Sequence, residues 1–189
     1  IDLNVGDFHL MGLLDVGVSG EIAMYLIELI KVDLYKNVLL CPTSSIDSLF
    51  GLFANSIHYV TSGLQKHKGC NWVIWSEREN EVRLNCYNNA CYHLFDGQVG
   101  EYHGGKGELT GTFFDVSCEG HLLITSDGYK DQLSADGTKS FGQRKLINAL
   151  ANYSQMKQDD LLINLKRDVD IWRGSMDLTD DVSIISYKL

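Results

Sequence analysis

The chain contains a single proline, Pro42, and no stretch rich in Ser, Gly and Pro. Nothing in it therefore marks a flexible linker or a low-complexity segment, and no internal repeat is visible. Its five cysteines, Cys41, Cys70, Cys86, Cys91 and Cys118, are odd in number, and no two stand at C-x-x-C spacing. That pattern argues against a disulfide framework and against a zinc ribbon. Scattered single cysteines are expected to act as small core residues of a reduced, cytoplasmic protein. No apolar run reaches transmembrane length, and no signal peptide is visible. Basic residues are few: 16 Lys and Arg stand against 25 Asp and Glu, for a formal net charge of -9 at pH 7. A surface of that sign suits neither nucleic-acid phosphates nor an anionic membrane. It permits a cation site built from carboxylates.

With 189 residues, 44% hydrophobic and 22% charged, the chain has the composition of one globular domain able to bury a sizeable core. It opens at Ile1 without a methionine. We therefore expect residues 1–189 to form a single domain, excised from or truncated relative to a longer chain that could be anchored in a membrane elsewhere.

The apolar block from Val5 to Val16 predicts one strand, or two if a tight turn intervenes. Ser19-Gly20-Glu21 starts a helix running to about Lys36, with Ile22, Tyr25, Leu26, Leu29 and Ile30 as its expected buried stripe and Met24 and Tyr35 free for a second contact. Ser44-Ser45-Ile46-Asp47 looks like a capping box opening a second helix, with Leu49, Phe50, Phe53 and Ile57 on one face. The period then changes to that of strands over Asn71–Trp75, Val82–Tyr87, Ala90–Phe95, Thr112–Val116 and His121–Thr125. Trp72 and Trp75, three apart in a strand, would face opposite sides as core residues. Gly104-Gly105-Lys106-Gly107 predicts a flexible loop. Phe141–Tyr153 and Asp159–Trp172 read as helices, the second with an apolar stripe of Leu161, Leu162, Leu165, Val169 and Trp172, and Val182–Leu189 closes as a strand. Runs of strands and paired helices, without strict alternation, give an α+β class. Its expected architecture is a four-layer α-β-β-α sandwich of two antiparallel sheets flanked by helix pairs.

Three aspartates stand out by position. Asp15 follows Leu10-Met11-Gly12-Leu13-Leu14, Asp127 follows Leu122-Leu123-Ile124-Thr125-Ser126, and Asp180 precedes Asp181 and Val182-Ser183-Ile184-Ile185. Each lies at one end of a predicted buried strand, where a scaffold holds side chains rigidly. Carboxylates are what hard divalent cations such as Mg²⁺ or Mn²⁺ take. The alternative is that aspartate is simply common at turns and helix starts. The six histidines show no ligand spacing; His9 and His93 lie beside these segments without replacing a ligand.

Leu14-Asp15-Val16-Gly17-Val18-Ser19-Gly20 resembles the "DVSGHG" segment of SpoIIE/RsbU-type serine phosphatases, in the metal-dependent PPM superfamily. Ser126-Asp127-Gly128-Tyr129-Lys130-Asp131-Gln132 resembles their "TDG" motif, followed as there by a small loop and Phe141-Gly142. Asn89-Ala90 sits where the family has "NAGH", and Thr179-Asp180-Asp181-Val182-Ser183 is similar to the terminal "DDVT". The pieces come in family order and cover nearly the whole chain. The resemblance implies the α-β-β-α sandwich and metal-dependent hydrolysis of phosphoserine or phosphothreonine, with two Mn²⁺ or Mg²⁺ ions activating a water for in-line attack on phosphorus. No side-chain nucleophile is then needed. Asp15 matches the metal-bridging Asp, the Val16 carbonyl the adjacent ligand, and Asp127 and Asp180 the later ligands, with Asp181 a structural neighbour.

The resemblance further implies a bacterial signalling role in stress-response partner switching. The substrate would be a phosphorylated STAS-domain anti-sigma-factor antagonist, and the partners an upstream sensor domain and a second copy of the chain. Departures are present. The histidine of the first motif is absent, Glu21 following Ser19-Gly20, and Cys91 and Tyr92 replace the glycine and histidine of "NAGH". Asp7, in Val5-Gly6-Asp7, resembles the family's earlier "GGD" metal ligand but lies too close to Asp15. Either the intervening hairpin is shortened or missing here, or that motif precedes Ile1 and Asp7 is a turn residue. Alternatives to the enzyme are a catalytically inactive relative serving as a binding or regulatory module, and a metal-free α+β interaction domain.

Overall fold

The computed structural model describes residues 2–5, 8–16, 18, 21–40, 45–61, 70–78, 81–105 and 111–189. Its elements in chain order are β1 (Asp2–Val5), β2 (Phe8–Val16), α1 (Glu21–Leu40), α2 (Ile46–Thr61), β3 (Cys70–Arg78), β4 (Glu81–Tyr87), β5 (Ala90–Phe95), β6 (Gln98–His103), β7 (Thr112–Val116), β8 (His121–Thr125), α3 (Asp127–Asp131), α4 (Gln143–Tyr153), α5 (Gln158–Arg173) and β9 (Ile184–Lys188). The class is α+β with two sheets, ordered β1-β2-β3-β4-β7 and β6-β5-β8-β9. The ladders β1/β2, β2/β3, β3/β4, β4/β7, β5/β8 and β8/β9 are antiparallel. Among the described residues no helix is long and apolar enough to cross a membrane. The chain divides into two compact units, Ile1–Ala90 with His103–Cys118, and Cys91–Tyr102 with Glu119–Leu189.

In the first unit, α2 buries the expected face, Leu49, Phe50, Phe53 and Ile57. Phe53 meets the Trp72 ring edge-on at 6.1 Å between centroids, and Trp72 stacks on Tyr87 at 4.3 Å. Trp72 sits fully buried because its Nε1 donates to Asn85 Oδ1 at 2.7 Å. Side chains of this size each contribute roughly 1.5–3 kcal/mol on burial. Trp75, three residues on in β3, is also buried, so both faces of this interior strand are covered. Ser45 caps α2 through its Oγ and the Ser48 N–H. The capping-box reading is corrected in one respect: the Asp47 carboxylate turns outward to Arg83. Ser44 lies outside the described residues.

Helix α1 corrects another expectation. Leu26, Ile30 and Leu34 form its buried stripe, whereas Ile22 and Tyr25 are 60% and 64% exposed. The helix is apolar on two faces, and periodicity alone does not say which meets the core. The expected glycine loop is also corrected at its first residue. Gly104 is buried, and its N–H donates to Asn89 O at 3.0 Å. A Cβ there would lie 2.3 Å from Cys86 O, so this glycine permits a close backbone approach. Lys106 and Gly107 lie outside the described residues.

In the second unit, β8 runs between β5 and β9, and Leu122, Leu123 and Ile124 are fully buried. Helix α4 buries Leu146, Ala149 and Leu150, and α5 buries Leu161, Leu165 and Val169. Of the stripe expected on α5, Leu162 and Trp172 are only partly buried. Phe141 packs edge-on against both Tyr129 and Trp172.

Candidate metal centre

Strand β8 delivers its chain directly into the motif. Thr125 is buried, Ser126 is extended as the N-cap of α3, and Asp127 is the first helical residue, half-exposed. Three hydrogen bonds fasten this turn to the segment entering β9. The Ser126 N–H donates to Ser183 O at 3.0 Å, Ser126 Oγ donates to Asp181 O at 2.9 Å, and the Ser183 N–H donates to Ser126 Oγ at 2.9 Å. Gly128 completes the contact. A Cβ there would stand 2.4 Å from Asp181 O and 3.2 Å from the Asp180 Cβ. Ser126 and Gly128, on either side of Asp127, are therefore packed against residues 180–183, although 52 residues lie between Asp127 and Asp180 in the chain. Asp180 is exposed, and its Oδ1 accepts the Asp181 N–H at 2.7 Å. Asp181 contributes its backbone carbonyl to the fastening.

The end of α3 is held just as firmly. Tyr129 is fully buried, its hydroxyl donates to Leu165 O at 3.0 Å, and burial pushes its pKa up, so it stays neutral. Gln132 is also fully buried. Its Nε2 donates to Leu133 O and Asp177 O, both at 3.2 Å, and its Oε1 accepts the Thr179 N–H at 3.2 Å. Its backbone carbonyl accepts from the Phe141 N–H and from Trp172 Nε1. Neither Gln132 nor Gly128 stood out in the sequence as more than part of a motif. Only the contact between two distant segments gives them their roles.

In the first unit, Asp15 is the penultimate residue of β2, half-exposed and paired in register with Asn71 of β3; Val16, buried, pairs with Cys70. Strand β2 lies between β1 and β3, which fixes the direction of its backbone. Asp7, Gly17, Ser19 and Gly20 lie outside the described residues. Asn89 forms a tight turn, its Oδ1 accepting the Ala90 N–H at 2.8 Å, beside Asn88 at φ 51°. His93 Nε2 is 2.6 Å from Glu119 O, and His9 Nε2 is 2.6 Å from Asp2 Oδ1.

The structure thus brings Asp127 and Asp180 onto adjoining backbone. Among the described residues no group of three or more His, Cys, Asp or Glu forms a metal cage. The available donors are hard oxygens. Mg²⁺ is ordinarily held by one or two carboxylates and keeps several waters, so a pair of aspartates on touching segments fits such an ion. The pair offers none of the sulfur and nitrogen donors of a closed structural Zn²⁺ site.

This topology is the fold of PP2C-type phosphatase domains of the SpoIIE/RsbU kind. The similarity to the SiaA-PP2C domain of Pseudomonas aeruginosa covers 100% of this chain and 79% of that one, with a TM-score of 0.78 at 15% identity. The PP2C phosphatase domain and regulatory fragment of SpoIIE from Bacillus subtilis matches over 98% of this chain and 55% of its own, with a TM-score of 0.68 at 12% identity. A Mycobacterium tuberculosis structure of RsbU and RsbW domains matches over 96% and 52%, with a TM-score of 0.66 at 15% identity. The chain therefore spans only about half of the latter two, 55% and 52%. At these identities the likeness is one of fold. No protein-family model matches the sequence, and no curated protein matches it.

Proposed function

We propose that the chain is a Mn²⁺- or Mg²⁺-dependent phosphoprotein phosphatase acting on phosphoserine or phosphothreonine. The observation that carries the reading is the fastening of Ser126-Asp127-Gly128 to Asp180–Ser183 within a PP2C-type fold. The proposed ligands are Asp15, the Val16 carbonyl, Asp127 and Asp180, with Asp7 as a further candidate. When bound, such ions lower the pKa of a water and neutralise phosphoryl charge. The protein's own part is to hold carboxylates in fixed directions. Ser126 and Gly128 set the approach of the two aspartate-bearing segments, and the interior position of β2 sets Asp15.

The substrate in this reading is a phosphorylated STAS-domain protein of a cytoplasmic bacterial signalling circuit, supported by the RsbU-type and SpoIIE-type neighbours. An upstream sensor domain or a second copy of the chain docks on α1, where Ile22, Tyr25, Val32 and Leu39 are exposed. Tyr25, Val32 and Leu39 recur every seven residues, with Ile22 one turn before Tyr25, so the four share one face of the helix. The test is hydrolysis of a generic phosphate ester with Mn²⁺ and with chelator. Turnover with Mn²⁺ that chelator abolishes supports the reading, and equal rates sink it. If no hydrolysis occurs but Mn²⁺ and a phosphoprotein bind, the chain is the non-catalytic module favoured by the altered "GHG" and "NAGH" segments. Val32→Glu, tested by sedimentation and by Mn²⁺ dependence of turnover, checks the α1 contact.

A further inference from the structure

Asp180 is an exposed residue in a segment without regular secondary structure, yet a metal ligand must be held in one direction before the ion arrives. The fastening at Ser126 acts on residues 181 and 183, on the far side of Asp180. On the near side, Arg173 Nη1 donates to Met176 O, and the Gln132 amide, fully buried, grips Asp177 O and the Thr179 N–H together, the side-chain contacts nearest Asp180 among the described residues. The two contacts demand both ends of a carboxamide. The Asp177 carbonyl needs a donor and the Thr179 N–H an acceptor, so their positions also fix which way the amide points. Gln132 itself is anchored by its backbone carbonyl to Phe141 and Trp172 and lies one residue beyond α3, the helix that begins with Asp127.

We propose that Gln132 is the positioning residue for the Asp180 carboxylate. Resting on the metal-dependent reading above, this assigns Gln132 the task of holding residues 177–179 so that Asp180 is presented beside Asp127 before any ion binds. The clamp acts through the backbone, without touching the ion. Removing it frees residues 177–179 and adds an ordering cost to every binding event, which weakens metal affinity without removing a ligand. Loss of such supporting groups ordinarily weakens metal binding about 10–100-fold.

The experiment is calorimetric titration of Mn²⁺ into the wild-type chain, Gln132→Met and Leu150→Ala, well below their melting temperatures. Leu150→Ala opens a cavity in the core of α4 and serves as a control of comparable destabilisation. Gln132→Met is expected to bind Mn²⁺ about 10–100-fold more weakly, and Leu150→Ala within twofold of wild type. A Gln132→Met protein with wild-type affinity overturns the assignment, as does an equal loss in both variants. Should Gln132→Met fail to fold, exchange of the Thr179 amide in the metal-free wild type decides. Slow exchange supports a preformed clamp, and exchange at the free-amide rate overturns it. A wild-type chain that takes up no Mn²⁺ overturns the metal reading and this assignment with it. That outcome is distinct from a clamp failure, in which wild type and variant bind alike.

Discussion

At the residue scale the clearest expectations concern Asp127, Gly128 and Asp136. Asp127→Asn is expected to abolish Mn²⁺-dependent turnover while leaving the fold, because an amide lacks the charge a hard cation requires. In chelator its stability should equal or exceed wild type, since removing one of two adjoining carboxylates relieves repulsion; urea unfolding measures this. Gly128→Ala places a methyl 2.4 Å from Asp181 O. It should cost about 1–3 kcal/mol of stability, as overpacking does, and weaken Mn²⁺ binding by pushing residues 180–181 away. Asp136 has no part in the metal reading. Its Oδ1 accepts from Ser134 Oγ, the Thr138 N–H and Thr138 Oγ, which hold its pKa down at about 2, from an ordinary 3.8. A carboxylate with a depressed folded pKa stabilises fully above its unfolded value and loses that contribution as pH falls through the folded one. The turn at 134–138 should therefore persist through pH 4 and open only toward about 2, followed by the Thr138 amide resonance. In the sequence the three aspartates were recognisable by their strand ends. Gln132 was not, since a buried glutamine is visible only through partners 45 and 47 residues away.

At the element scale, strands bounded by sharp turns were legible. β5 ends at Asp96-Gly97, both at positive φ, where the turn residues place it, and β7 and β8 keep their expected limits. β6, Gln98–His103, was missed because it is a polar, glycine-bearing strand at the edge of its sheet with no buried residue. α3 was missed because five residues carry too little periodicity. α1 shows the opposite difficulty, an excess of apolar signal. Its true inner stripe yields a contrast that denaturation can read. Leu34→Ala, at a fully buried site, should cost about 2–5 kcal/mol. Tyr25→Ser, on the exposed face, should stay within about 0.5 kcal/mol of wild type. Equal losses would return Tyr25 to the core.

At the scale of the whole molecule, the order of strands and helix pairs sufficed for the class, because runs of like elements exclude a doubly wound sheet. The approach of the Asp127 and Asp180 segments was expected only through the family resemblance, since residue pattern alone does not say that β8 and β9 become sheet neighbours. Ligand linkage supplies a global check. An ion present at a hundredfold over its dissociation constant should stabilise the fold by about 2.7 kcal/mol, seen as a higher melting temperature in Mn²⁺ than in chelator. Coincident melts would count against any bound metal. The position of β9 at a sheet edge, among the described residues, bears on timing as well. Asp127 follows an interior strand laddered on both sides, whereas Asp180 leads into one laddered to β8 alone. Edge strands open at lower free energy than interior ones. The two carboxylates therefore have different lifetimes in place, and the residence time of a captured ion would be set by how often β9 peels from β8.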